Sequence, residues 1–382
     1  MDRRKFLTVL GGGIIVAAGV GAGGFVITRT PKKALAPWFN AGSIYNEARK
    51  KALSYAILAP NPHNRQPWLV DLSKENKIIL FVDRDKLLPH TDPFNRQITI
   101  GLGCFLEILR MAAAQDGYLA DIDYFPNGAD QEKLDERPVA EISFSAMPNI
   151  RRDPLFSHIV NRRTLKTPYD TKRIVDDEIL QDISLAVQAG SIVGVSNKTD
   201  DVLALRQLTS DAEKIELETD RTYKESVDLF RIGKKEVEAN PDGIAFSGAL
   251  FDVLSSTGMF TREAAFDRNS SLYGYAVDAV MENANSAMAY IWLVSKQNTR
   301  IEQLKAGVDY VRINLSATRA GVGIHPMSQA LQEYKEMQNL YEQCKEMLDT
   351  NGGTVQMLAR LGYASSVPPT PRWKVSKKIM RG

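Results

Sequence analysis

The chain has 382 residues, of which 44% are hydrophobic and 25% charged, and its formal net charge is +2. This composition excludes a disordered chain, and the balanced charge gives no reason to expect a nucleic-acid partner. A chain of this length can form two domains or two halves of one domain.

The N-terminus begins with Arg3 and Arg4, which are followed by Lys5-Phe6-Leu7 and a glycine-rich apolar run that ends at Ile27. This pattern resembles a twin-arginine signal, so we expect export of the folded protein to the periplasm with the twin-arginine translocase as a transient partner. Pro37 follows the small-residue sequence at 34–36 and disfavours cleavage there. A plain secretory signal and a retained inner-membrane anchor therefore remain open, and residues 1–36 are assigned to signal and linker.

Residues 37–150 form the first predicted half. Residues 31–39 are predicted to be a linker, and apolar spacing predicts helices over 44–58 and 98–117. Strands are predicted at 69–72, 77–82, 119–125 and 139–144, where apolar residues alternate or run together. Cys104, Cys344 and the four histidines lack metal-ligand spacing, so we expect neither a metal nor a disulfide.

Residues 151–382 form the second predicted half. Helices are predicted at 179–187, 202–229, 301–321 and 331–348, strands at 191–195 and 290–294, and an extended tail at 362–372. Residues 240–267 are predicted to be an irregular, lid-like insertion that carries Phe246, Leu250, Phe251 and Met259. Segments 98–107 and 307–315 both contain a glycine-bearing entry to a helix, which indicates an internal repeat.

The segment 60–68, Pro-Asn-Pro-His-Asn-Arg-Gln-Pro-Trp, is a stiff loop because its three prolines prevent a continued helix. Its amide side chains can both donate and accept hydrogen bonds, which suits the edge of a planar heterocycle such as a flavin. A proline-rich surface turn is the alternative reading.

This loop resembles the Pro-Ser-x-x-Asn-x-Gln-Pro-Trp loop of the FMN-dependent nitroreductase family, with Asn61 in place of serine. The resemblance extends to a basic cluster at 162–166, to the loop at 327–329 and to an arginine near the C-terminus. It implies FMN as cofactor and the following binding residues: Pro60, Asn61, Asn64, Gln66, Arg162, Thr164, Lys166, Met327, Ser328, Gln329 and Arg372. By this resemblance the 60–68 loop, with Asn64, would contact the flavin ring, while the 162–166 cluster would contact the phosphate and ribityl chain and Arg372 the phosphate. The family often has Glu-Gly where this chain has Ser328 and Gln329.

The distribution of these motifs resembles the Acg-like branch, in which a nitroreductase dimer is fused into one chain. The Gln-Pro-Trp loop occurs only in the first half, where residues 187–191 would be its counterpart, and the basic cluster occurs only in the second. The resemblance therefore implies an α+β, nitroreductase-like fold of two tandem halves, one composite FMN site and a monomer that mimics a homodimer.

The resemblance implies an oxidoreductase that reduces an electron-poor acceptor, of the nitro or quinone class, with NAD(P)H or another reductant. The flavin would carry the hydride, so no side chain is required as acid or base, although His63 is a candidate donor. Two alternatives remain open: a non-catalytic protein that sequesters FMN beneath its lid, and a scaffold that no longer binds FMN.

Overall fold

The computed structural model describes residues 29–348 and 350–380. Arg3, Arg4 and the apolar run behind them lie outside the described residues, so the twin-arginine signal stays a prediction.

The first half is one antiparallel sheet with helices packed against it. Its elements in chain order are α1 (Lys32–Asn40), α2 (Ala48–Ala56), β1 (Trp68–Asp71), β2 (Lys77–Val82), α3 (Arg96–Gln115), β3 (Tyr118–Tyr124) and β4 (Ala140–Ala146). The strand order is β1-β2-β4-β3. Along β2, Ile78, Leu80 and Val82 are buried and alternate with less buried residues, which is the period-2 pattern of a sheet with one face in the core.

The second half repeats these parts around a long insertion. Its elements in chain order are a 3-10 helix (Pro154–Asn161), α4 (Asp177–Ser184), β5 (Ile192–Ser196), α5 (Thr199–Glu218), α6 (Asp220–Asp228), β6 (Phe230–Ile232), α7 (Gly233–Ala239), β7 (Ile244–Phe246), α8 (Ala249–Ser256), α9 (Arg262–Phe266), α10 (Ser271–Asn285), β8 (Ala289–Ser295), α11 (Arg300–Arg319), β9 (Gly323–Pro326), α12 (Gln338–Met347) and β10 (Thr354–Gly362).

The two main sheets have the same topology. The second sheet has the order β5-β8-β10-β9, which is the order of the first sheet when β5, β8, β9 and β10 replace β1, β2, β3 and β4. In both halves a 20-residue helix, α3 or α11, connects the second strand to the third. The α+β class and the two tandem halves expected from the sequence are thus confirmed.

Helices α3 and α11 pack against each other through a pair of glycines. A Cβ atom on Gly103 would lie 2.0 Å from the carbonyl oxygen of Leu304, and one on Gly307 would lie 2.0 Å from that of Ile100. Because no side chain fits at either position, the two backbones approach closely and reciprocally. Two identical helices that cross at the two-fold axis of a homodimer would make the same kind of reciprocal contact. Helix α3 has the length and apolar character of a membrane span, but 89% of that stretch is buried inside the protein.

Two predictions of local structure are wrong. The predicted linker at 31–39 is largely helix α1, which holds despite an internal Pro37 because Ala34, Leu35 and Trp38 are buried against the core. The predicted irregular stretch at 240–267 contains β7, α8 and α9. These elements are too short to be stable alone and are held by aromatic contacts between different elements. The ring centroids of Phe246 and Phe260, for example, lie 4.9 Å apart.

Candidate functional site

A cavity of about 380 Å³ lies between the two halves, within the usual size range of small-molecule sites. Residues from the loop after α2, one face of α3, the turn after the 3-10 helix, the insertion and the C-terminal segment line it. Nine of the eleven residues that the sequence singled out are among the lining residues: Pro60, Asn61, Asn64, Arg162, Thr164, Lys166, Ser328, Gln329 and Arg372. Both halves therefore contribute residues to the cavity, as the distribution of the motifs along the sequence predicts.

Three guanidinium groups surround Trp38 at one end of the cavity. The guanidinium carbons of Arg162, Arg163 and Arg372 lie 5.9, 4.8 and 5.3 Å from the centroid of the indole ring. The indole is itself held in place, because its Nε1 donates to the carbonyl oxygen of Thr370 at 2.7 Å. Cation–π contacts of this kind orient the guanidiniums but do not neutralise their charge.

No carboxylate compensates this cluster within residues 29–348 and 350–380. Arg162 donates to the carbonyl oxygen of Leu58 at 3.2 Å, and its Nε and Nη1 have no partner there. Burial lowers the pKa of Arg162 to about 10. Burial, and then the charges of Arg162 and Arg163, lower the pKa of Arg372 well below its ordinary value. Buried charge of one sign without a partner is unfavourable, so the cluster favours the binding of an anion.

The loop that resembles the nitroreductase motif has a strained backbone. His63, Asn64 and Gln66 have φ values of 48°, 51° and 51°, in the left-handed region that non-glycine residues rarely occupy. The side-chain oxygen of Asn61 accepts from the N–H of Gln66 at 2.7 Å, and Lys378 donates to the carbonyl oxygen of Gln66 at 2.7 Å. Strain of this kind persists only where surrounding contacts enforce it, and it concentrates at functional sites.

Gln66 and Met327 are buried and lie off the cavity lining. The Gln66 side chain donates to the carbonyl oxygen of Pro241 at 2.6 Å and accepts from the N–H of Trp373 at 2.8 Å, so it ties the loop to the insertion and the C-terminal segment. The N–H of Met327 donates to the carbonyl oxygen of Leu358 at 2.8 Å and is not available to a ligand.

Asn64 lies at the arginine end of the cavity. Its side-chain oxygen accepts from Arg372 Nη1, and its Nδ2 donates to the carbonyl oxygen of Pro371 at 3.1 Å. The sequence interpretation assigned Asn64 to the ring of a ligand and Arg162 to its phosphate. The structure instead places both residues close to Arg372, because Arg162 and Arg372 share the carbonyl oxygen of Leu58 as an acceptor.

Two neutral imidazoles line the cavity as well. Burial lowers the pKa of His63 to about 3, and its Nε2 lies 3.0 Å from Ser226 Oγ. Burial and then Arg360 lower the pKa of His325. Arg360 Nε donates to His325 Nδ1 at 2.9 Å, so the neutral ring carries its proton on Nε2. Sequence reasoning missed His325, although it lies two residues from Met327.

The insertion contributes residues 243–247 to the cavity lining. Asp242 anchors this segment through ion pairs with Lys86 and with Arg231, the latter at 2.9 Å, and the N–H of Gly243 donates to the carbonyl oxygen of Asn64 at 3.1 Å. Of the four residues proposed for the lid, only Phe246 lines the cavity. The others lie elsewhere: Leu250 and Phe251 in the core of the insertion and Met259 on the surface.

The counterpart of the 60–68 loop in the second half is the connection between α4 and β5. There the carboxylate of Asp309 accepts from the N–H groups of Gln188, Ala189 and Ser191 at 2.7 to 2.9 Å. The backbone N–H groups of this loop are therefore already paired with a carboxylate of the chain itself.

Cys104 and Cys344 are buried free thiols. No group of three His, Cys, Asp or Glu side chains is placed to hold a metal in the described part of the chain.

No protein-family model matches the chain. Over 333 residues it is 26% identical to the "Putative NAD(P)H nitroreductase acg" of Mycobacterium tuberculosis, which covers 85% of this chain and 92% of the relative. A second M. tuberculosis protein with the same activity in its name is 24% identical over 348 residues, 87% of this chain and 91% of the relative. These relatives support the nitroreductase relationship expected from the motifs.

Among solved structures, the FMN-dependent nitroreductase NfnB of Mycobacterium smegmatis in complex with NADPH aligns with a TM-score of 0.37 and 16% identity, over 60% of this chain and 98% of that one. A "putative nitroreductase" of Anabaena variabilis aligns with a TM-score of 0.38 and 12% identity, over 87% and 91%.

Proposed function

We propose that this protein is an FMN-binding oxidoreductase of the nitroreductase type, with one FMN site per chain. The observation that carries the proposal is the arginine cluster around Trp38, which no carboxylate of residues 29–348 and 350–380 compensates and which lines a cavity built from both halves. A phosphate supplies the missing charge, and guanidinium groups match its geometry. The M. tuberculosis relatives, whose names describe NAD(P)H nitroreductases, point to the same class.

The lining residues fit such a ligand. Arg162 and Arg372 would hold the phosphate, and their unpartnered nitrogens provide donors for it. Thr164 and Asn64 would assist them, while Pro60, Lys166, Ser328, Gln329 and the Nε2–H of His325 would meet the ring. FMN supplies two-electron transfer when bound, and the protein's part is to bind it, orient it and exclude water.

The proposed reaction is the reduction of an electron-poor acceptor, of the nitro or quinone class, with NAD(P)H or another donor of electrons. We further propose a monomer, since the internal pairing of α3 with α11 already provides the contact that a dimer axis would give. The sequence of the first 28 residues supports export to the periplasm by the twin-arginine route, with cleavage or a retained inner-membrane anchor as the two forms.

A second candidate function is sequestration of FMN without turnover. The anchoring of residues 243–247 favours it, because Asp242 and Gly243 tie this segment to the first half and Phe246 lines the cavity. A segment held in this way would hinder the approach of a nicotinamide donor to the ring.

The absorbance spectrum of the purified protein tests both proposals. We expect a flavin spectrum with one FMN per chain, and its absence from protein refolded or titrated with FMN would refute both. Anaerobic addition of NADPH and then of dithionite separates the two. Rapid bleaching by NADPH supports the reductase, whereas bleaching by dithionite alone supports sequestration or a different donor. The Asp242→Ala variant should bleach faster with NADPH if the anchored segment is what limits access.

A further inference from the structure

Helix α1 forms one wall of the cavity. Pro31, at its N-terminal end, Leu35 and Trp38 are three or four positions apart, so they share one face of the helix, and all three line the cavity. Trp38 is buried, whereas the adjacent Phe39 is exposed. One face of α1 is therefore committed to the cavity, and the neighbouring face is open to solvent.

Two hydrogen bonds attach α1 to the C-terminal segment that carries Arg372. The N–H of Arg372 donates to the carbonyl oxygen of Ala34 at 2.9 Å, and Trp38 Nε1 donates to the carbonyl oxygen of Thr370 at 2.7 Å. The guanidinium of Arg372 in turn donates to Thr370 Oγ1 at 2.6 Å. The same short stretch of chain therefore sets the position of α1 and that of the Arg372 side chain.

The indole ring of Trp38 also contacts three guanidinium groups, those of Arg162, Arg163 and Arg372. Positive charges gathered in this way repel one another. The face of an aromatic ring carries negative potential, which eases this repulsion without removing the charge. Backbone acceptors such as the carbonyl oxygen of Leu58 hold the guanidiniums as well, but they do so without contact to α1. Trp38 is thus the side chain that links α1 to all three groups.

We propose that Trp38 is a positioning residue for the phosphate group of the ligand, and that docking of α1 and binding of that phosphate are coupled. This inference rests on the proposed function. The ring holds Arg162 and Arg372 at the cavity wall, so a phosphate meets donors that are already in place and does not have to gather them.

The bound phosphate in turn relieves the repulsion among the guanidiniums and so strengthens the contacts that α1 makes with them. Coupling of this kind is reciprocal: a change that undocks α1 weakens phosphate binding, and the phosphate protects α1 from undocking. Because the coupling acts through the phosphate, it makes the site select FMN over riboflavin, which has the same ring system and no phosphate.

The first test compares the Kd values of FMN and riboflavin in fluorescence titrations of the full chain. Trp38→Leu removes the aromatic face and should raise the Kd for FMN by roughly 10-fold, the scale of one desolvated cation–π contact, while the Kd for riboflavin stays nearly unchanged. Trp38→Phe keeps an aromatic face and should recover most of the affinity for FMN. Phe39→Leu, at the adjacent exposed position of α1, is the matched control and should change neither Kd.

The second test measures the docking of α1 by limited proteolysis with trypsin. Lys32 and Lys33 are exposed on α1, and cleavage after them requires the helix to open locally. Saturating FMN should slow this cleavage by roughly 5-fold or more, and riboflavin should slow it much less. Cleavage after Lys133, an exposed residue away from the cavity, should be unaffected by either flavin.

Each outcome decides a different point. Equal losses of affinity for FMN and riboflavin in Trp38→Leu would show that Trp38 is structural and does not position the phosphate. Equal protection of α1 by both flavins would refute the coupling, and this measurement on the wild-type protein stands even if Trp38→Leu fails to fold. Failure of the wild-type protein to bind FMN refutes the proposed function itself.

Discussion

Replacement of Arg162 by methionine should stabilise the ligand-free protein and at the same time weaken FMN binding. The pKa of Arg162 falls from 12.5 to about 10 because the group is buried without a counterion. At about 1.36 kcal/mol per pH unit, the folded protein holds this charge at a cost of about 3 kcal/mol. Methionine fills similar space without charge, so we expect the free energy of unfolding without ligand to rise by about 1–3 kcal/mol.

FMN should offset this gain, because it stabilises the wild-type protein more than the variant. A hydrogen bond from a charged donor contributes about 1.5–3 kcal/mol, so loss of the guanidinium should raise the Kd for FMN by roughly 10- to 150-fold. Urea unfolding, with and without FMN, measures both effects in one assay. At a concentration of 100 times its Kd, FMN should stabilise the wild-type protein by about 2.7 kcal/mol and the variant by far less.

Arg163→Met is the matched control for this experiment. Arg163 is adjacent in sequence, but its guanidinium donates to the carbonyl oxygens of Val160 at 2.9 Å and Val367 at 3.2 Å. Its replacement should therefore lower the stability of the ligand-free protein and have the smaller effect on FMN binding. The reasoning is refuted if ligand-free Arg162→Met is less stable than the wild-type protein and FMN stabilises both by the same amount.

Three further predictions concern the packing of α3 against α11, the insertion and the buried carboxyl group of Glu213 in α5. Gly103→Ala should prevent stable folding or lower the free energy of unfolding in urea by more than about 3 kcal/mol, because its Cβ would meet the backbone of Leu304. In the control Gly274→Ala in α10, where no atom lies within 4 Å of the new Cβ, the free energy of unfolding should rise by roughly 0.5–1 kcal/mol. Asp242→Ala should speed amide hydrogen exchange at 243–247 without affecting exchange in α3, and equal exchange would contradict the anchoring role. Burial raises the pKa of Glu213 in the folded protein, so its contribution to stability is complete at low pH and is lost as pH rises through that pKa. The Glu213→Gln variant should therefore be more stable than the wild-type protein above neutral pH, which thermal unfolding at several pH values would show.

Sequence pattern predicted the elements whose periodicity is strong. Strand β2 has the predicted bounds, and α3 begins and ends two residues before its predicted limits, since a 20-residue apolar period leaves little choice. Strand β10 was missed because eight of its nine residues are buried, so the chain shows no alternation there. Helix α1 was missed because Pro31 and Pro37 are local signals against a helix, and the burial of Trp38 that outweighs them depends on distant residues.

The site was predictable only as far as its motifs are contiguous. The 60–68 loop and the basic cluster at 162–166 each carry a local signature, and the fold brings them to one cavity. Gln332 also lines the cavity but carries no such signature. Its side chain donates to Glu216 Oε2, 116 positions away in the chain, and the local sequence gives no sign of that contact.

The contrast between Gly307 and Asp309 shows how the two halves can pack reciprocally through α3 and α11 and still differ at their corresponding loops. Gly307 on α11 and Gly103 on α3 must both remain glycine, because each makes room for the backbone of the other helix. Asp309, two residues later, is under no such reciprocal constraint. Its carboxylate satisfies three backbone N–H groups of the 188–191 loop from within the chain, so that loop is complete without a ligand. In the part of the chain that the structure describes, no carboxylate pairs with the arginine cluster, so under the proposed function the phosphate of the ligand would balance its charge.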